Sequence, residues 1–265
     1  MKLHTQILGA VFALSASASA SADGYIDLFA DPPGGIQVLD KVEGANADNA
    51  TNFAESGAYA SILGGYRDIK ADLITTNDPG FDATSIVVNN GHLAFNNDQG
   101  TNGLGIVQWD GQDNSSALDT NGLGGENLYS LGDAFFFEVL TADLGFDFSI
   151  GLYDIDGNYT IYDLASNSGN HFQTIAFDLF DNAQGLGLCG QTDFDTVAGH
   201  VNSVTCSGNV DLTRLGAIEV IFNTNGGIVD VDLSIGPVKT VPEPSTMALL
   251  GLGLVGAGFS RRKRS

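Results

Sequence analysis

Apolar and polar residues alternate along this chain in short runs, and Gly, Pro, Asn or Asp interrupts them every few residues. That is the period-two pattern of half-buried β-strands. Such runs occur at Tyr25 to Phe29, Ile36 to Leu39, Ala71 to Ile74, Ser85 to Val88, His92 to Phe95, Gly105 to Trp109 and Ala134 to Leu140. Phe146 to Ile150 alternates strictly and runs on to Tyr153. Asp154-Ile155-Asp156-Gly157-Asn158 then turns the chain into Tyr159 to Tyr162, which predicts a hairpin. Later runs are Thr174 to Phe177, Ile218 to Phe222 and Val229 to Ile235. Phe135-Phe136-Phe137 places rings on both faces of a central strand. No amphipathic helix and no repeat of fixed period is evident in the body. A dozen or so short strands predict an all-β fold, an antiparallel β-sandwich of jelly-roll-like kind. The Gly-, Asn-, Asp- and Ser-rich stretches Gly111 to Gly125, Asn167 to Asn170 and Asn182 to Gly190 read as loops.

The two ends depart from this pattern. Met1 to Ala22 has a positive Lys2, an apolar run from Ile7 to Leu14, and the small-x-small steps Ala18-Ser19-Ala20 and Ala20-Ser21-Ala22. These are the parts of a secretory signal peptide, with Asp23 as the expected mature N-terminus. At the other end, Pro242-Glu243-Pro244 is a rigid polar motif, because each proline fixes its own φ and restricts the residue before it. A 14-residue uncharged run, Thr246 to Phe259, follows, and then the basic stop Arg261-Arg262-Lys263-Arg264. As a helix that run spans only about 21 Å, against a bilayer core of roughly 30 Å. It suits a transient membrane hold better than a permanent anchor, with the basic residues left on the cytoplasmic side.

These three parts, in this order over Val241 to Ser265, resemble the PEP-CTERM sorting signal of Gram-negative bacteria. The resemblance implies a short C-terminal hydrophobic helix, export across the inner membrane, and recognition and cleavage near the motif by the membrane enzyme exosortase. It implies delivery to the cell surface or extracellular matrix and a link to exopolysaccharide and biofilm. Gly64-Gly65-Tyr66-Arg67-Asp68, Trp109-Asp110-Gly111 and the Asp154 to Asn158 turn add a looser likeness to other exported proteins of this kind. The expected organisation is a signal peptide over residues 1–22, a β-sandwich body over 23–240 and the sorting signal over 241–265.

Charge narrows the partners. The body carries 31 acidic residues against five basic ones, Lys41, Arg67, Lys70, Arg214 and Lys239, for a formal charge of −26. Nucleic acid and anionic membrane surfaces are poor partners for such a charge, whereas divalent cations, basic partners and neutral glycans remain compatible. Most of the acids are Asp, which favours turns over helices. The only two cysteines, Cys189 and Cys206, lie in the exported body and are expected to form a disulfide. That bridge would pin a Gly- and Asp-rich excursion, Gly190 to Thr205, with little core of its own.

Candidate chemistry is sparse. Asp154, Asp156 and Asn158 put three oxygen-bearing side chains into five residues, which fits either part of a calcium site or a tight hairpin turn. Asp193 with Asp195 poses the same choice. Asp230 and Asp232 share one strand face and read as a solvent face. Trp109, the only tryptophan, is a sugar-stacking ring if exposed and a core residue if buried. Glu138 and Glu219 sit within apolar strands, where burial would raise a carboxyl pKa as a glycosidase acid requires. His92, His171 and His200 lack metal-ligand spacing, and no nucleophile or phosphate-binding motif is present. The reading is an exported, exosortase-processed, non-enzymatic protein with a structural, adhesive or glycan-binding role. The alternatives are a secreted polysaccharide-active enzyme on a β-sandwich and a calcium-stabilised structural module.

Overall fold

The computed structural model describes residues 24–41, 52–196, 199–224 and 230–241. The signal peptide, the Pro-Glu-Pro motif, the expected C-terminal helix and the basic stop lie outside the described residues. Among those described, no helix is long and apolar enough to cross a membrane.

The body forms two antiparallel sheets. The first contains β1 (Tyr25–Asp27), β2 (Ile36–Asp40), β5 (Thr84–Asn89), β6 (His92–Asn97), β8 (Ala134–Ala142), β11 (His171–Ala176), β15 (Asp232–Ile235) and β16 (Val238–Val241). They run in the order β1-β16-β8-β15-β6-β5-β2, with β11 on the free side of β8. The second contains β3 (Phe53–Ser56), β4 (Arg67–Thr75), β7 (Asn102–Trp109), β9 (Phe146–Asp154), β10 (Tyr159–Ser166), β12 (Thr192–Thr196), β13 (Gly199–Ser207) and β14 (Leu215–Phe222). Its order is β12-β13-β10-β9-β14-β7-β4-β3. The all-β antiparallel sandwich expected from the alternation is what the chain forms.

Alternation explains the core. Along β8, Phe135, Phe137 and Val139 are buried while Phe136 and Glu138 face outward. Along β9, Phe146, Phe148, Ile150 and Leu152 are buried. The two inner faces meet ring on ring, Phe137 against Phe148 and Phe95 against Phe222, with centroids 6.2 and 6.1 Å apart. Between them lies an apolar void of about 30 Å³, lined by Ile26, Leu93, Trp109 and Phe148 among others. Ligand pockets measure roughly 300–1,000 Å³, so this void is a packing gap too small to hold a ligand.

The sandwich is also joined by one buried charge pair. Asp27 on β1 accepts from Arg67 Nη1 on β4 at 2.6 Å and from Trp109 Nε1 on β7 at 2.9 Å, and its other oxygen accepts from Phe29 N at 2.7 Å. Arg67 Nη2 donates to the Asp31 carbonyl at 2.7 Å, and the guanidinium lies over the Phe29 ring. Arg67 and Asp27 have no exposed surface.

Two local expectations change. Gly190 to Thr205 is mostly strand: β12 and β13 pair with each other, and β13 pairs with β10. Its pattern is hidden because Val201 and Val204, both buried, stand three residues apart. The register skips Asn202 between Leu164↔Val201 and Asp163↔Ser203, so a bulge returns both valines to the core face. A single-turn helix, α1 (Asp178–Asp181), buries Phe180 at the start of the turn region that leads to Cys189. Cys189 and Cys206 are disulfide-bonded with Cα atoms 5.5 Å apart, which ties that region to β13.

Removing the buried cation leaves Asp27 uncompensated. Arg67→Met is expected to lower the stability of the body by about 3–5 kcal/mol. Loss of the half-exposed Arg214–Asp156 pair through Arg214→Met should cost under about 1 kcal/mol. Urea unfolding of both variants beside the parent protein checks the contrast.

Candidate functional site

The strands β4 and β7 are neighbours, with Asp68 opposite Gln108. Alternation therefore sends Arg67 and Trp109 inward to Asp27, and sends Asp68 and Asp110 to the outer side of the second sheet. On the other flank of β4, Glu55 of β3 stands directly opposite Asp68. Like charges in that position repel across a sheet. The loop that leaves β7 then folds back over them. Glu55 accepts from the backbone N–H groups of Asp113 and Asn114, both at 2.9 Å, and Asp110 accepts from Asp119 N at 2.9 Å. Gly122 crosses the Asp110 carbonyl so closely that a side chain would not fit there.

The result is a pocket of carboxylates under a loop. Oxygens of Glu55, Asp68 and Asp113 all lie within 4.8 Å of one another, and among the described residues no other group of His, Cys, Asp and Glu comes together this way. Asp68 and Asp110 are each only 1% exposed. Both oxygens of Asp68 are buried without a hydrogen-bond donor. Burial pushes the Asp68 carboxyl up to about 9, and the charges acting on it, Asp110, Glu55 and Asp113, all push the same way. Burial also raises Asp110, to about 6, against the opposing Asp119 N–H. The sequence carried both halves of this cluster, in Tyr66-Arg67-Asp68 and Trp109-Asp110-Gly111. Nothing in their spacing shows that β4 and β7 are adjacent.

A second feature lies at the free edge of the first sheet. An open groove of about 420 Å³ runs beside β11 and is lined by Asn167, Ser168, His171, Phe172, Gln173 and Gly199, among others. The Phe172 ring is 62% exposed and stacks on Phe136, with centroids 5.6 Å apart and planes 17° from parallel. Sequence reasoning placed a loop at Asn167 to Asn170 and overlooked the ring beside it. The signal was an aromatic between two polar residues, His171 and Gln173, next to an amide-rich turn.

The residues singled out from sequence fall as follows. Trp109 is 2% exposed and bonded to Asp27, so the sugar-stacking expectation is corrected: the ring is a core element with no free face. Asp154, Asp156 and Asn158 sit in the β9–β10 turn. Asp154 accepts four N–H bonds, from Asp156 N, Asn158 N, Asn158 Nδ2 and Asp211 N, all at 2.9 to 3.0 Å. Asp156 pairs with Arg214. The geometry is that of the turn reading. Asp193 and Asp195 both approach His200 on the surface, at 3.4 and 3.0 Å. Asp230 accepts from Gly100 N. His171 meets Ser166 Oγ at 3.0 Å, and His92 is exposed at the start of β6. Glu138 accepts from Asn170 on the first sheet, whereas Glu219, raised by burial against the Gln108 bond, is on the second. They do not form a carboxylate pair.

The tail supplies the decisive comparison: the family model for the PEP-CTERM protein-sorting motif matches residues 240–264. The chain carries a PEP-CTERM sorting motif. No curated protein matches the chain. Solved structures that match include an exo-β-agarase at 13% identity and TM-score 0.37, over 77% of this chain and 24% of that one. Another is a family 11 carbohydrate-binding module from Clostridium thermocellum, in complex with a β-1,3-1,4-mixed-linked tetrasaccharide. It is 12% identical with a TM-score of 0.31, over 78% of this chain and 95% of that one. The chain spans about a quarter of the length of the agarase structures it matches. Likeness at this level does not establish a shared function.

The PEP-CTERM motif begins inside the fold. Its match starts at residue 240, and β16 runs through Val241. Thr240 is fully buried, donating from its N–H to the Gly24 carbonyl at 3.0 Å and from its hydroxyl to the Leu131 carbonyl at 2.6 Å. Asp133 N bonds the Val241 carbonyl at 2.9 Å. The sandwich therefore extends to the residue before Pro242.

Burial opposes ionisation of Asp154, but the bonds from Asn158, Asp211 and Asp156 outweigh it and hold the carboxyl below its ordinary 3.8. A depressed carboxylate stabilises fully above that ordinary value and loses its contribution as pH falls below it. Asp154→Asn is expected to cost about 2–3 kcal/mol at pH 7, and the gap to the parent should close below about pH 4. Urea midpoints of both proteins from pH 7 to pH 3 check this.

Proposed function

We propose that this chain is a non-enzymatic protein of the cell surface or extracellular polysaccharide matrix of a Gram-negative bacterium, cut by exosortase at Pro242 to Pro244 and retained there by binding glycan. The observation that carries the reading is the sorting motif at residues 240–264 placed directly after the last strand of an acidic β-sandwich. A strand hydrogen-bonded along its length resists a protease, so the Pro-Glu-Pro stretch is the first place past β16 where cleavage leaves the sandwich whole.

The groove beside β11 supports the glycan part. Phe172 offers an exposed apolar ring face, and Asn167, His171 and Gln173 offer donors and acceptors beside it. That is the mixture of apolar wall and few polar groups by which a neutral polymer is held. Its wall is uncharged apart from the titratable imidazole of His171, which suits a neutral sugar on a body that repels anions. Burial argues against the acids as catalysts. Asp68 and Asp110 have the raised carboxyl pKa values of an acid pair, but the loop covers them, and a polymer cannot reach buried oxygens.

Intact-mass analysis of protein recovered from the host surface or medium should give a product that begins at Asp23 and ends between Pro242 and Pro244. Deletion of exosortase should abolish it. A product that keeps Arg261 to Ser265 in both strains would make the tail a plain anchor. For the groove, Phe172→Ala should weaken retention on the host's own matrix polysaccharide about three- to tenfold, with the fold unchanged by circular dichroism. Equal retention, or release of reducing ends by the parent protein, would remove the non-enzymatic glycan-binding reading.

A further inference from the structure

We infer that Glu55, Asp68, Asp110 and Asp113 form a binding site for one calcium ion, and that the ion latches the loop after β7 to the β3–β4 edge of the second sheet. Three observations carry this independently of the glycan groove.

The first is the donor set. Calcium takes six to eight hard oxygen ligands, each about 2.3–2.6 Å from the ion, so two oxygens on one ion lie at most about 5 Å apart. The oxygens of Glu55, Asp68 and Asp113 all fall within 4.8 Å of one another. Asp110, the residue after β7, emerges on the same outer side as Asp68, and its charge acts on Asp68. All four side chains are carboxylates, with no nitrogen or sulfur among them, which selects a hard cation over zinc or copper.

The second is the orphaned carboxylate. Asp68 is 1% exposed, and neither of its oxygens meets a hydrogen-bond donor. A buried charge without a partner is strongly unfavourable, and native structures supply a partner. The charged groups that act on it, Asp110, Glu55 and Asp113, are all acids. The remaining choices are a proton shared with Asp110 or a cation.

The third is the architecture of the loop. Asp113 N and Asn114 N both donate to Glu55, and Asp119 N donates to Asp110. These bonds fold the loop over the carboxylates and bring Asp113 to them from above. The backbone is thereby arranged around a point that the side chains alone make repulsive. An ion there draws β3, β4 and the loop together, as the repulsion between Glu55 and Asp68 cannot.

This site differs from the one that residue spacing suggested in the β9–β10 turn, and the test separates them. The full chain is stripped with chelator, and its thermal unfolding is followed by Trp109 fluorescence against added calcium chloride, with sodium chloride matched for ionic strength. The parent protein should gain about 5 °C at millimolar calcium, with one ion bound per chain by titration calorimetry. Hydrogen exchange at Asp113 and Asn114 should slow. Asp68→Asn and Glu55→Gln should each lose the calcium response, while Asp156→Asn keeps it. An unchanged melting temperature and no binding heat would overturn the site and leave Asp68 and Asp110 as a proton-sharing pair. A rise as large in Asp68→Asn and Glu55→Gln as in the parent would overturn it too, by showing that calcium merely screens the charge of the body. If Asp68→Asn does not fold, Glu55→Gln, half-buried at the edge strand, decides alone.

Discussion

The interaction on which this sandwich depends is the buried pair of Asp27 and Arg67. It stands where the first and second sheets meet, and it recruits Trp109 from a third strand. Most contacts between the sheets are apolar and tolerate sliding, since one hydrophobic face accepts another in several registers. A guanidinium that must meet a carboxylate and a carbonyl at once accepts one arrangement. The pair therefore sets how β1 sits over β4 and β7, and with it where Asp68 and Asp110 emerge on the outer side. The core site and the acidic cluster are two sides of the same pair of strands.

Charge makes this use of Arg67 consequential. The body has only five basic residues for its 31 acids. One is wholly internal, Arg214 is held by Asp156, Lys70 lies 4.0 Å from Asp72, and Lys41 reaches the Phe81 carbonyl. Four of the body's five basic residues are thus engaged away from Glu55, Asp68, Asp110 and Asp113. A body so poor in positive side chains can concentrate carboxylates only where backbone N–H groups, a shared proton or an external cation answers them. The Asp154 turn takes the first of these. Its carboxylate is enclosed by four N–H donors and held below its ordinary pKa. Asp68 has no donor, and its pKa moves the other way. The opposite shifts follow from the N–H donors around Asp154, against burial and three neighbouring carboxylates at Asp68.

The termini of the body are joined by the same sheet. Tyr25 of β1 is in register with Lys239 of β16, and Thr240 bonds Gly24. The two ends of the body are thus held side by side. The last strand must be in place for the first to join the sheet, since β16 is the strand that β1 pairs with, while Asp27 also bridges Ile62. The match to the sorting motif begins within that last strand, so the motif is joined directly to the fold.

Much of this was legible in the residues themselves. Alternation predicted most of the strands, the β9–β10 hairpin and the all-β class, because a strand with one wet face imposes its period on the sequence. The tail was legible because a sorting signal is read as a linear segment and needs no fold. The disulfide followed from there being two cysteines in an exported body. Tertiary structure alone decided the rest. The β13 bulge at Asn202 broke the period, so strand looked like loop. A buried Trp109 was the commoner expectation, and the approach of Asp27 from 82 residues away is what fixes the ring there. The carboxylates divided in the same way. Spacing favoured Asp154 to Asn158, whose lone pairs local N–H groups occupy. The unsatisfied site is built from β3, β4 and a distant loop, and long-range pairing leaves no mark in a window of neighbouring residues.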